Sequence, residues 1–165
     1  MAVLVVAIAF MGCPYGTDIA IDEKPVVKII PSLIGKWEQR SSADYSYKVT
    51  KTDEFNYKIV KAKVPSADKK EETSASDRTV YFGFISDVAG DKFFNIYDSS
   101  SSPQTWYLYK VDMTEGDNML KMASVTPNIT EKFSTSAELR KFIEKYKGLS
   151  FFFEKDQDSY IKTGK

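Results

Sequence analysis

Cys13 is the sole thiol of the 165-residue chain, and no histidine accompanies it. A lone cysteine cannot form an internal disulfide, and without histidine the chain lacks the commonest general base and transition-metal ligand. What Cys13 does have is position. It closes an uncharged apolar run, Ala2 to Met11, follows a small residue, Gly12, and opens a polar segment. The remaining groups able to do chemistry are carboxylate pairs, Asp53-Glu54 and Asp156 with Asp158. Paired acids serve general acid-base work, but both pairs sit in predicted turns, where acidic residues are expected anyway. Asp156-Gln157-Asp158 lacks the glycine and distal glutamate of an EF-hand calcium loop. No Gly-x-Ser-x-Gly and no phosphate-cradling glycine loop occurs. The expectation is a protein that is not an enzyme, with no metal site and no cofactor.

Ala9-Phe10-Met11-Gly12-Cys13 resembles a bacterial lipobox. The resemblance implies that the thiol receives a diacylglycerol, that the chain is cut before Cys13, and that the new amino group is acylated. The apolar run fits a signal-peptide core, which needs about 7–15 residues, and is shorter than the roughly 20 a bilayer span needs. No Lys or Arg precedes Lys24, so this reading places the basic flank of the leader upstream of Met1. Pro14 stands where some bacterial lipoproteins have the Asp that retains them at the inner membrane. The expected location is the cell envelope, at the outer membrane, with the membrane as a partner through the N-terminal lipid.

Such an anchor needs a folded body behind it. Balanced charge, 23 basic against 23 acidic residues, gives no pull toward nucleic acid. With 11 Phe, 10 Tyr and 2 Trp the chain favours strands. The segments read as residues 1–12 signal peptide, 13–32 lipidated tether and 33–165 one β domain. Pro25 and Pro31 bracket the patch Val26 to Ile30, a short extended piece that docks on the domain or adds an edge strand.

Strand patterns follow at close spacing. Ile34 to Arg40 is the first. Tyr45, Tyr47 and Val49 alternate with polar residues, and after a Thr52-Asp53-Glu54 turn so do Phe55, Tyr57 and Ile59, predicting a hairpin with one aromatic face. Ser66 to Asp77 is a polar loop. Thr79 to Val88, Lys92 to Tyr97, Trp106 to Val111 and Met119 to Val125 are further strands. Thr135 to Glu138 has capping-box spacing, and Leu139, Phe142, Ile143 and Tyr146 recur at helical intervals up to Gly148. Leu149 to Phe153 and Ser159 to Thr163 read as closing strands. The predicted fold is all-β and mainly antiparallel, an up-and-down barrel of about eight to ten strands with one short C-terminal helix.

Gly35-Lys36-Trp37 at the start of the first barrel strand resembles the Gly-x-Trp signature of the lipocalin and calycin group. Phe133 to Tyr160, with Thr135 to Leu139 and Phe142-Ile143, resembles small lipoproteins of Bacteroidetes-type bacteria. The lipocalin likeness implies an arginine near the last strand, packed over the signature tryptophan. No Arg follows Arg140, which leaves Lys155, Lys162 or Lys165 as the substitute, and the Thr-Asp-Tyr type motif of that group is missing. The implied function is binding of a small hydrophobic ligand between Trp37, Tyr45, Tyr47, Phe55, Tyr57 and Trp106. The alternative is a non-catalytic interaction or scaffolding protein whose rings fill the core. That alternative would show an exposed aromatic patch, with Trp106, Tyr107 and Tyr109 as candidates, since their strand carries aromatics on both faces and one face points outward unless the helix covers it.

Overall fold

A computed structural model describes residues 15–42, 44–64, 78–114, 116, 118–155 and 158–164. The leader, Cys13, the loop from Ser66 to Asp77 and the pair Asp156-Gln157 lie outside them. The strands are β1 (Gly16–Thr17), β2 (Gly35–Gln39), β3 (Tyr45–Lys51), β4 (Asn56–Lys63), β5 (Arg78–Val88), β6 (Asp91–Asp98), β7 (Trp106–Thr114), β8 (Met119–Ser124) and β9 (Asp158–Gly164). One helix, α1 (Ser136–Tyr146), lies between β8 and β9, and a single 3-10 turn, Pro31–Leu33, precedes β2.

From β2 to β8 each strand pairs antiparallel with the next, and β9 then lies between β8 and β2 and pairs with both. Eight strands thereby close into the expected antiparallel up-and-down barrel, which removes its own edges. β1 stands outside the circle, adding to β7 at Trp106 and Tyr107, where β8 no longer reaches.

The local chemistry accounts for the turns. In the β3–β4 turn the Asp53 carboxylate accepts the N–H groups of Phe55 and Asn56 at 2.7 and 2.8 Å, an Asx turn that sets the hairpin register. Val49 then faces Ile59, and Tyr47 faces Lys61. Gly35 has φ 140°, and a Cβ there would lie 2.6 Å from the carbonyl oxygen of Gly164. The glycine of the Gly-x-Trp triplet is thus where β9 closes against β2. At Gly83 a Cβ would stand 2.2 Å from the Asn95 carbonyl oxygen, so β5 and β6 meet there too closely for any side chain. α1 opens as its sequence predicts: the Thr135 hydroxyl accepts the Glu138 N–H at 3.2 Å, and the Glu138 carboxylate accepts the Thr135 N–H at 3.3 Å.

Two apolar cores result. The inner one fills the barrel with Trp37, Val49, Tyr57, Ile59, Ile85, Phe94, Ile96, Val111 and Leu120. The outer one packs Leu139 and Ile143 of α1, together with Tyr15, Ile21 and Phe152, on Val88, Phe93 and Leu108 of β5, β6 and β7. Those strands are covered on both faces, which is why Thr79 to Val88 reads as a nearly continuous apolar run. Asn95 is fully buried between the layers. Its side-chain oxygen accepts the Ile21 N–H at 2.9 Å, and its amide donates to the Ser86 hydroxyl at 2.9 Å. The Ser136 hydroxyl donates to the Ala20 carbonyl. Residues 15–22 are therefore fastened to the barrel wall, with β1 among them.

The run Leu149 to Phe153 differs from its reading as a strand. It forms turns, with the Leu149 N–H bonded to the Tyr146 carbonyl and the Phe152 N–H to that of Leu149, and only Phe153 bridges to Val125. Burial decides this conformation. Phe152 is drawn into the outer core while Phe151 stays 70% exposed, and β9 alone completes the circle.

Candidate functional site

One end of the barrel is sealed by the chain that enters it. Pro31 starts the 3-10 turn that tips Leu33 under the barrel, and Ile29, Ile30 and Ile34 pack beside it. The Ile29 N–H bonds the Glu54 carbonyl at 2.9 Å, and the Ile30 N–H donates to the Tyr57 hydroxyl at 2.7 Å. Trp37, 1% exposed, donates its indole N–H to the Leu33 carbonyl at 2.9 Å. Lys162 of β9 donates to the Ser32 carbonyl at 2.8 Å, with its ammonium 5.2 Å from the Trp37 ring centre. A lysine on the last strand thus stands where the lipocalin resemblance implies an arginine.

Above Trp37 the barrel holds a half-open cavity of about 230 Å³. Its upper wall comes from the end of β4 (Lys61) and the starts of β5 (Tyr81), β7 (Tyr107, Tyr109) and β9 (Asp158, Tyr160), so it lies toward the end opposite the plug. Tyr47 completes a group of five tyrosines, and Val49, Ile59, Phe94, Ile96, Leu120 and Met122 supply the apolar remainder. The Tyr47 and Tyr160 rings meet edge to face at 5.3 Å.

Among the described residues, two charged ones border the cavity. Asp158 is exposed, and its carboxylate accepts the Gln39 amide at 2.7 Å and the Tyr160 hydroxyl at 3.3 Å. Lys61 sends its ammonium over the Tyr45 ring, 4.2 Å from the centre. The phenols of Tyr47, Tyr81, Tyr109 and Tyr160 are held neutral. Burial, reinforced by the Asp158 charge, pushes Tyr47 up to about 12, and raises Tyr109 and Tyr160 further. Burial likewise raises Tyr81, with Asp98 adding to it. The wall therefore offers ring faces and un-ionised hydroxyls, able to donate or accept, beside a single carboxylate.

The residues singled out in the sequence are dispersed. Trp37 and Tyr47 line the cavity. Tyr57 is fully buried deeper in the barrel, 5.2 Å from Phe94, with its hydroxyl occupied by Ile30. Tyr45 shares its strand with Tyr47 but serves as the platform for Lys61. Phe55 is in the β3–β4 turn at the sealed end. Trp106 is on the outer face of β7, against Phe84 and Tyr97 at 5.6 and 4.8 Å. Tyr107 and Tyr109 face inward, which leaves Trp106 as the member of that trio on the outer face, beside Phe84 and Tyr97. Tyr81, Tyr160, Lys61 and Asp158 are cavity residues that sequence reasoning missed. The alternation of Asp158, Tyr160 and Lys162 along β9 was the available sign.

Among the described residues no three carboxylate or thiol side chains gather as a metal site requires. No helix among them is long and apolar enough to cross a membrane. No protein-family model, curated protein or solved structure matches the chain.

Proposed function

We propose that this chain is a lipid-anchored cell-envelope protein of lipocalin-like type, held at the outer membrane through Cys13, whose barrel binds one small, mostly apolar molecule. The observation that carries the binding half is the cavity of about 230 Å³ above Trp37, ringed by tyrosines and bordered by Lys61 and Asp158. It is smaller than the roughly 300–1,000 Å³ of drug-sized sites, which limits the guest to about one ring with a short arm. Inward-facing Tyr107 and Tyr109 add their rings to the cavity wall and support this reading. Its wall holds apolar surface and neutral phenols, suited to binding rather than to a reaction.

The test is native mass spectrometry of the protein isolated from its own envelope. A defined non-covalent adduct, lost on denaturation, is the expected result. Met122→Trp, which fills the cavity from β8, should lose the adduct while keeping the β-rich circular dichroism spectrum. Clean apo masses from repeated preparations would count against a resident guest.

The anchor half rests on the lipobox resemblance and has its own measurement. Cys13→Ser is expected to accumulate as an uncleaved precursor that takes up no radioactive palmitate. Normal labelling of that variant would remove Cys13 as the acylated residue.

A further inference from the structure

We propose that the guest is a small organic cation, a protonated amine on a single aromatic ring or short alkyl body. Its ammonium would lie between Asp158 and the tyrosine faces, with the apolar body down on Trp37. This rests on the preceding reading of the cavity as a binding site and adds the charge of what enters.

Three observations carry it. Among the described residues Asp158 is the one carboxylate in the cavity wall. Its two known partners, the Gln39 amide and the Tyr160 hydroxyl, leave acceptor capacity, since an ionised carboxylate offers about four lone-pair sites. Second, the wall is built of ring faces. Aromatic faces carry the negative side of a quadrupole and attract ammonium groups within about 6 Å. Third, this chain's own cations already behave that way. Lys61 lies 4.2 Å over Tyr45 and Lys162 lies 5.2 Å over Trp37.

The opposing charge is Lys61, whose side chain also borders the cavity. Its ammonium is held over the Tyr45 ring at 4.2 Å, with the Tyr47 ring centre at 6.0 Å, while the Asp158 carboxylate hydrogen-bonds Tyr160 on β9. At Asp158 a guest bringing a second negative charge would be repelled, while an ammonium would be paired.

The experiment uses three probes of one shape and different charge: phenethylamine, 2-phenylethanol and 3-phenylpropionate. Each is titrated calorimetrically into the full chain and into its Asp158→Asn variant. Phenethylamine is expected to bind roughly tenfold more tightly than 2-phenylethanol, with 3-phenylpropionate weakest. Asp158→Asn should erase the amine's advantage over 2-phenylethanol. An unchanged β-rich circular dichroism spectrum shows the variant to be folded, since Asn keeps an oxygen for Gln39. Equal affinities, tighter binding of 3-phenylpropionate, or amine binding unaffected by Asp158→Asn would each overturn the cation assignment while leaving the cavity a binding site. Failure of all three probes to bind would overturn both.

Discussion

Trp37→Ala is expected to lower the free energy of unfolding by about 3–5 kcal/mol, the usual cost of truncating a buried tryptophan. Trp37 should fall at or above the middle of that range, because its ring joins two parts of the molecule. Above it is the cavity, and below it the plug, where the indole N–H holds the Leu33 carbonyl and Lys162 reaches past the ring to Ser32. Removing the ring leaves a void, an unpaired carbonyl and a lysine without its aromatic partner. Trp37→Phe restores most of the apolar volume but not the N–H. It should cost about 1–3 kcal/mol, set by the packing change and the lost hydrogen bond. Urea unfolding measures both, as a lower midpoint at an unchanged slope. A loss below about 1 kcal/mol for Trp37→Ala would mean that the plug stays seated without it.

High pH should have the second large effect. Tyr47, Tyr109 and Tyr160 keep their protons in the folded barrel to a higher pH than in the unfolded chain, where a tyrosine titrates near 10.0. Burial is the main cause, and the Asp158 charge adds to it. Above pH 10 the unfolded chain therefore releases protons that the native state retains, so stability falls as pH rises. The stability these groups confer is fully present below pH 10 and decreases through about pH 12, where Tyr47 titrates in the fold. Tyrosinate absorbance should rise in two stages: a gradual one from exposed rings, then a cooperative one coinciding with loss of near-ultraviolet circular dichroism. A single smooth titration near pH 10 with the fold intact would show that water reaches the cavity freely.

How much of this could be read beforehand depends on what each residue's partners are. The β3–β4 hairpin was legible because Tyr45, Tyr47 and Val49 alternate with polar residues, and alternation is a local property. The α1 cap was legible for the same reason, since Thr135 and Glu138 satisfy each other within one turn. In β7 the alternation was visible, but Trp106, Tyr107 and Tyr109 put aromatics on both faces. Which face turns inward follows only from closure with β6 and β8. The cavity residues Tyr81 and Tyr160 come from strands far apart in sequence, and no local pattern brings them together. Leu149 to Phe153 misled for a related reason: an apolar run has the same composition whether it pairs as a strand or drops one ring into a distant core.

β9 also sets the order in which this molecule can become complete. It is the seam of the barrel, pairing with the first and the seventh strands of the circle, yet it follows the helix. A chain emerging from the ribosome or from an export channel can pair β2 through β8 one hairpin at a time. It then waits as a curved sheet with two open margins, β2 and β8, until β9 arrives. Joining strands this remote in sequence is entropically slow, and open margins invite pairing with other chains. α1 and the fastened segment 15–22 cover the outer face of β5 to β7, not the hydrogen-bonding edges of β2 and β8. The interval between making β8 and making β9 is therefore when this protein is most exposed to aggregation, and when a chaperone would matter most.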